Sequence, residues 1–354
     1  IAVSRDSTAL TIEEVMPTLY EDTNPRSLPE LLNELHHGTT VLPDFQRDYV
    51  WEPSAVDELI LSIINNYPAG SILRVRNAGS DFFAWRAFEG ASAPPGGNPT
   101  FMVLDGQQRL TSLYQAFYDK GEYAFFLDIG RLLQGDAIED AIFHSRRDRG
   151  RAKILLPQND SEAEQHRALA EQASALVLPL GRIRASQDAF NSWCIAIAQL
   201  LSQQDQPSLS ELLAIGSQWI KPIQEYKFPV VTLSQETSAD AICTIFETLN
   251  RTGIKLTPFE LLTARYYAKN VKLRDLWEQS QTDFPELVDF SVDPYAVLQA
   301  IALRTTNPTA MRRSALMNLT AEDVERSWRS TANAMASGLT LLRDECGVLL
   351  TKWL

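Results

Sequence analysis

The sequence predicts a mixed α+β fold, with a sheet-containing core, a large helical insertion and a helical C-terminal region. Three observations predict it. In the first 160 residues, short strand-like apolar runs alternate irregularly with amphipathic helices. From about Ser161 to Tyr226 the spacing is mostly helical, and one strand-like run at 228–233 follows. Beyond Val271 only helical spacing is found. The irregular order argues against a regular βαβ series, and so against a Rossmann-type sheet. The predicted organisation is a core over 1–160, an insertion over 161–226, a returning strand and helix over 227–270, and a helical region over 271–354.

Each element has a local reason. Residues 28–35 have helical spacing, and the extended stretch Val41-Leu42-Pro43-Asp44-Phe45 follows. Pro53 suits the first turn of a helix, whose Val56, Leu59, Ile60, Ile63 and Ile64 share one face. Pro68 and Gly70 end it, and residues 71–76 alternate as a strand. The Pro- and Gly-rich run 90–99 forbids regular structure. Residues 101–104 form a strand, Asp105-Gly106 a tight turn, and Leu110, Leu113, Tyr114 and Phe117 the buried face of the next helix. Residues 122–129 form another strand. The insertion breaks near Pro179-Leu180-Gly181 and Gln206-Pro207. A helix from Ala239, apolar at Ile242, Ile245, Phe246 and Leu249, stops at Asn250-Arg251-Thr252-Gly253, where Asn and Gly permit left-handed backbone. Thr257-Pro258-Phe259-Glu260 starts another, and Thr320 caps a long one carrying Val324, Trp328, Met335, Leu339 and Leu342.

Composition narrows the function classes. Apolar residues make up 45% of the 354 and charged residues 22%, ordinary values for a folded chain with a sizeable core. Lys and Arg number 32 against 45 Asp and Glu, a net charge of −13. That argues against a surface coated in basic charge but leaves room for a local basic site. No apolar run is long enough for a membrane helix, and no secretory pattern opens the sequence. Cys194, Cys243 and Cys346 lie far apart among apolar residues, which predicts core packing in a reducing cytoplasm. His36, His37, His144 and His166 show no metal-binding spacing.

Three stretches can carry chemistry. In the first, Val103 to Leu113, a strand ends, Gly106 turns the chain and a helix begins at once. A helix start has unpaired N–H groups and a positive dipole end, an anion site in waiting. Gln107, Gln108 and Arg109 crowd their side chains there, and Arg can grip a phosphate through paired hydrogen bonds. Asp105 can hold a metal, orient a water or pair with Arg109. The bland alternative makes Asp105 a helix cap and the Gln residues merely exposed. The second stretch, Leu42 to Trp51, sets Gln46, Arg47 and Asp48 among aromatics, either a stacking or phosphate pocket or an exposed turn anchored by Phe45 and Trp51. The third, Phe246 to Thr257, places Asn250 and Arg251 beside Gly253, either at a ligand or in an ordinary helix connection.

Together the three stretches resemble the DGQQR-domain family. This is the N-terminal domain of GmrSD-type modification-dependent restriction systems, found also in phosphorothioate-sensing SspE-type and BREX-associated BrxU-type proteins. The box Leu42 to Trp51 departs from the family pattern only in Leu42, where Ile or Val is usual. The box Asp105 to Arg109 reads Asp-Gly-Gln-Gln-Arg, and the third spans Phe246 to Leu256. The resemblance covers roughly residues 28–268.

It implies a ParB/sulfiredoxin-like core decorated with helices, and a domain that binds and hydrolyses a nucleoside triphosphate, GTP or ATP, with magnesium through Asp105. In this reading Asp105, Gln107, Gln108 and Arg109 are catalytic, and Gln46, Arg47, Gly106, Asn250 and Arg251 bind the nucleotide. It implies modified DNA and a nuclease domain or subunit as partners, with a homo-oligomer left open. An HNH nuclease is not expected within these residues, since no His follows His166, and no GxxxxGK[ST] loop is present. The run from His144 to Lys153 carries Arg146, Arg147, Arg149, Arg151 and Lys153 against one acid, Asp148, and is either a DNA-backbone contact or a solvated loop. Two function classes remain at this point: an NTPase that gates a nuclease, or a module that reads modified DNA with little or no hydrolysis.

Overall fold

The computed structural model describes residues 20–44, 46, 48–76, 84–201, 207–237, 241, 242, 245, 259, 262, 263, 266, 271–305, 316 and 319–348. The first part of the chain runs β1 (Tyr20–Asp22), β2 (Pro25–Ser27), α1 (Leu28–His36), β3 (Thr40–Pro43), α2 (Pro53–Ile64), β4 (Ile72–Arg76), β5 (Trp85–Arg86), β6 (Phe101–Asp105) and α3 (Gln107–Phe117). Next come β7 (Tyr123–Asp128), α4 (Ile129–Gln134), α5 (Ile138–Ala141), β8 (Ile142–Arg146), α6 (Gly150–Leu155), α7 (Glu162–Ala175), β9 (Val177–Pro179), α8 (Gln187–Leu200), α9 (Leu209–Ile215), α10 (Lys221–Glu225) and β10 (Lys227–Leu233). The last described elements are α11 (Leu273–Asp283), α12 (Glu286–Asp289), α13 (Pro294–Thr305) and α14 (Ala321–Cys346).

The main sheet has the order β1-β10-β4-β6-β3-β5, with β2 also paired to β10. It is mixed: β10–β4 and β3–β6 are parallel, whereas β4–β6 and β3–β5 are antiparallel. The strand from beyond the insertion therefore lies inside the sheet, beside β4, as its apolar run requires. Alternation along the strands divides the core in two. Leu42, Ile72, Val103, Phe228 and Val230 face a layer containing α1, α2, α3 and the insertion helices α8 to α10. Val41, Val75, Met102, Leu104 and Leu233 face the other way, onto Leu273, Val297, Ile301, Val324 and Trp328 of the C-terminal helices. The C-terminal helical region is thus the second cover of the sheet.

The insertion is not wholly helical. Val177-Leu178-Pro179 pairs antiparallel with β7, which also pairs with β8, giving a separate three-stranded sheet. Three residues are too few to show a period of two, so helical spacing on either side concealed the strand. Strands β1, β2 and β5, of two or three residues each, escaped for the same reason.

The core prediction for cysteine holds at Cys194, which is fully buried and whose thiol is pushed up to about 12 by burial. It fails at Cys346, which is exposed. That residue ends α14, one position before Gly347 and past Leu339, the last buried residue of the helix. Cys243 lies outside the described residues. Among the described residues, no helix is long and apolar enough to cross a membrane.

Candidate functional site at the start of α3

Asp105 closes β6 and Gly106 turns the chain with φ +97°, a conformation open to glycine. A Cβ on Gly106 would also overlap Ile72 Cδ1. The helix starts at the next residue and has no side-chain hydrogen bond at its N-cap. The N-cap is Gly106 itself, and the Asp105 carboxylate accepts a hydrogen bond from Arg109. The two glutamines are not exposed either, at 7% and 8% for Gln107 and Gln108.

Arg109 is held from two sides. Nη1 donates to the Ala69 carbonyl at 3.1 Å, and Nη2 donates to Asp105 Oδ2 at 3.1 Å. The guanidinium lies against the backbone of Gly70, which has φ +84°, and a Cβ there would collide with it. The turn before Gly70 is pinned by Tyr226, whose hydroxyl donates to the Tyr67 carbonyl and accepts from the Ala69 N–H, both at 2.9 Å. Asp105 keeps 42% side-chain exposure and Arg109 20%, so the pair sits at the mouth of the site and not in the core.

The box before α2 folds over the same helix start. The Val50 N–H donates to Gln108 Oε1 at 2.9 Å, while Gln108 Nε2 donates to the Asp48 carbonyl at 3.1 Å. Both ends of this amide are thereby spent on backbone, which makes Gln108 a positioning residue joining the first two boxes. Tyr49 OH lies 3.1 Å from Ser112 Oγ one turn along α3, and burial raises the Tyr49 phenol above its ordinary range. Gln46 Nε2 donates to the carbonyls of Val103 (2.6 Å) and Leu104 (3.1 Å), at the end of β6. Its Oε1 is buried and has no hydrogen-bond partner among the described residues. A buried amide oxygen left unpaired costs about 1–3 kcal/mol, a cost a ligand donor would relieve. From the far side, Arg86 reaches the Gln46 carbonyl at 3.3 Å and Glu89 at 2.9 Å.

The structure thus brings Gln46, Asp105, Gly106, Gln107, Gln108 and Arg109 to one place. Arg47, Asn250 and Arg251 lie outside the described residues. Ala69-Gly70, Tyr226 and Arg86 belong to the site but were not read from the sequence. Gly70 registered only as a helix breaker, and the other contacts span 40 or more residues of chain, where periodicity gives no signal. Replacing Gln108 with Ala should destabilise the fold by roughly 1–3 kcal/mol, by removing the two hydrogen bonds that tie the backbone at Asp48 and Val50 to α3. Urea denaturation measures this, and an unchanged midpoint would show that the box is held by other contacts.

The basic run is a less uniform surface than its composition indicates. Arg146 pairs with Asp148 (3.1 Å) and approaches Glu122 (3.6 Å). Arg147 pairs with Asp119 (2.7 Å) and donates to the Gly121 and Lys120 carbonyls. Arg151 lies 4.3 Å over the Phe143 ring and 3.8 Å from Asp128. Arg149 and Lys153 are exposed.

His144, at the head of the run, meets Asp57 of α2 at 2.6 Å. Burial raises the Asp57 carboxyl above its ordinary 3.8, against the lowering effect of the His144 hydrogen bond. An acid raised in the folded state favours folding below its ordinary pKa, and loses that advantage as pH rises through the raised value. Asp57→Asn should therefore gain stability relative to wild type as pH rises from the acid range to neutrality. Paired denaturation curves at the two pH values check this, and a constant difference would contradict it.

Among the described residues, no group of three or more His, Cys, Asp or Glu side chains is placed to hold a metal. Asp105 is a single carboxylate, which suits magnesium bound mainly through substrate phosphates and water.

Residues 28–267 match the family described as the GmrSD restriction endonuclease N-terminal domain. An uncharacterized protein of Methanocaldococcus jannaschii is 30% identical over 299 residues, covering 78% of this chain and 48% of that protein. The chain thus spans about half the length of this curated relative. With the match covering well over half of its 354 residues, the chain belongs to the GmrSD restriction endonuclease N-terminal domain family.

Proposed function

We propose that this chain is the nucleoside-triphosphate-hydrolysing sensor of a DNA-modification-dependent restriction system, acting in the cytoplasm and gating a nuclease supplied by another region or subunit. One observation carries the reading. The start of α3 has a glycine as its N-cap and is flanked by Arg109 and by the buried Gln46 Oε1, which has no hydrogen-bond partner among the described residues. Together these offer an anion site with a neutral acceptor beside it. In core architecture we read the mixed sheet as ParB/sulfiredoxin-like.

Here the first turn of α3 and Arg109 receive the phosphates of GTP or ATP. As Arg109 turns from Asp105 to the terminal phosphate, the carboxylate becomes available. Asp105 accepts a hydrogen bond from the attacking water, and is the side chain that would hold a magnesium ion brought in with the nucleotide. Water adds to the terminal phosphorus, the bridging P–O bond breaks, and the diphosphate and inorganic phosphate leave. Magnesium supplies charge neutralisation on the phosphates. Gln46 offers its free oxygen to a ligand N–H or O–H, and Gln108 keeps the box closed over the site. Arg47, Asn250 and Arg251 are assigned to the same nucleotide through the family pattern.

A second reading is favoured by the engagement of Asp105 with Arg109 and by the lack of an acidic cluster among the described residues. In it the pocket reads modified DNA, such as a phosphorothioate or a modified base, without turnover. Titration with fluorescent GTP and ATP analogues, beside gel shifts of modified and plain duplexes with and without nucleotide, separates the two. Nucleotide binding that alters retention of modified DNA supports the sensor. Retention of modified DNA indifferent to nucleotide supports the reader and overturns the sensor.

A further inference from the structure

The opposite end of α3 carries a second cluster of basic and aromatic side chains. The helix has 11 residues, so its ends lie roughly 15 Å apart. At its C-terminal end Tyr114 and Tyr118 stack with ring centroids 4.8 Å apart. His36, the last residue of α1, lies 4.7 Å from the Tyr118 ring, and its Nδ1 is 3.1 Å from Tyr114 OH. His37 packs edge-on against His36 at 5.3 Å. Arg184 reaches over Tyr118 at 5.6 Å, and Lys120 follows in the turn after the helix.

Two features characterise this cluster. First, its cations are not neutralised. In a chain of net charge −13, Lys120 and Arg184 are exposed and make no ion pair among the described residues, as is true of Arg149 and Lys153 of the basic run but not of Arg146 and Arg147. The fields that reach His36 come from His37, Arg184 and Lys120, all of which lower its pKa after the larger effect of burial. Second, Arg184 is presented by strained backbone. Arg184 and Ala185 adopt φ +45° and +54° in succession. Left-handed backbone costs a non-glycine residue about 1–2 kcal/mol. The Ser186 N–H bond to the Ile183 carbonyl (2.7 Å) and the full burial of Ala185 hold the turn. Such strain persists where the surrounding structure enforces it, and it concentrates at functional surfaces. Its effect is to anchor Ala185 inside and to leave Arg184 outside, beside the tyrosines.

We propose that this cluster, formed by His36, His37, Tyr118, Lys120 and Arg184, is a docking surface for the phosphate backbone of duplex DNA, separate from the nucleotide site. Phosphate contacts are made by side chains of these kinds and fix position without reading sequence. The proposal rests on the reading of the chain as part of a DNA-restriction system, and it supplies the surface on which α3 connects two sites. DNA at the C-terminal end of the helix and nucleotide at its N-terminal end would bear on one rigid element.

The test uses the whole chain and a fluorescein-labelled plain DNA duplex. Anisotropy is followed over a range of salt for wild type, Lys120→Glu/Arg184→Glu, the conservative Lys120→Arg/Arg184→Lys, and Arg149→Glu/Lys153→Glu. The first double variant should lose at least tenfold in affinity, and its log–log salt slope should become shallower by roughly two. The conservative variant should bind as wild type does, and phosphate release without DNA should be unchanged in both. Undiminished affinity in a folded Lys120→Glu/Arg184→Glu variant overturns the proposal. So does a loss confined to Arg149→Glu/Lys153→Glu, a wild type that binds no duplex, or equal competition by polyglutamate, which would mark an acidic protein partner. Failure here leaves nucleotide hydrolysis standing, because that is read separately in the absence of DNA.

Discussion

Replacing Gly70 with alanine should disable the site although no charged residue is touched. The new methyl group would occupy the space of the Arg109 guanidinium, on a backbone at φ +84° that a side chain tolerates poorly. Left-handed backbone alone costs about 1–2 kcal/mol, within the reserve of a folded domain. The arginine has the softer degrees of freedom and is expected to yield, giving up the Ala69 carbonyl and Asp105 together. Phosphate release should then fall to the level of Arg109→Ala. Combining the two substitutions should lower it no further, because they remove the same contact. Full activity in a folded Gly70→Ala variant would show that Arg109 does not work from this position.

Arg109→Ala should itself reduce hydrolysis by about 10²–10³-fold, the usual cost of removing one donor aimed at transition-state charge. Lysine should not restore it, because an ammonium cannot hold the Ala69 carbonyl and grip a phosphate together as a planar fork does. Asp105 offers a finer division. If its role is to hold Arg109, Asp105→Asn keeps an acceptor oxygen and most of the activity. If the carboxylate itself serves the attacking water or magnesium, the asparagine variant should be as inactive as Asp105→Ala. Circular dichroism and denaturation midpoints near wild type would show that these losses are local. The pair is surface-exposed enough that its removal should cost the fold little.

Much of this site was legible in the sequence because its signals are local. A strand, a Gly at the turn and a helix with apolar spacing at Leu110, Leu113, Tyr114 and Phe117 occupy 17 consecutive residues, and the structure reproduces them as β6, Gly106 and α3. Gln46 and Gln108 were also found, but their work was not. Nothing local tells that Gln108 is bonded at both ends to backbone near Val50, or that Gln46 leans on the end of β6. Such bonds join residues 57 and 60 positions apart, and they exist only once the sheet has formed. Likewise the helices beyond Val271 were visible as helices. Their role as the second cover of the sheet depends on Met102 and Leu104 facing away from α3, a consequence of strand pairing. The three-residue strand β9 lay below what alternation can reveal. The exposed Cys346 shows a further limit, since apolar neighbours in sequence do not place a helix terminus inside.

Phosphate release decides whether the start of α3 binds and hydrolyses a nucleoside triphosphate. Wild-type chain and the Arg109→Ala variant are incubated with GTP, ATP and CTP in turn, with magnesium, and with modified DNA present or absent. The wild type should turn over GTP or ATP at a rate changed by modified DNA, and Arg109→Ala should lose this turnover. No release from any nucleotide under any of these conditions, or equal release by both proteins, would contradict it.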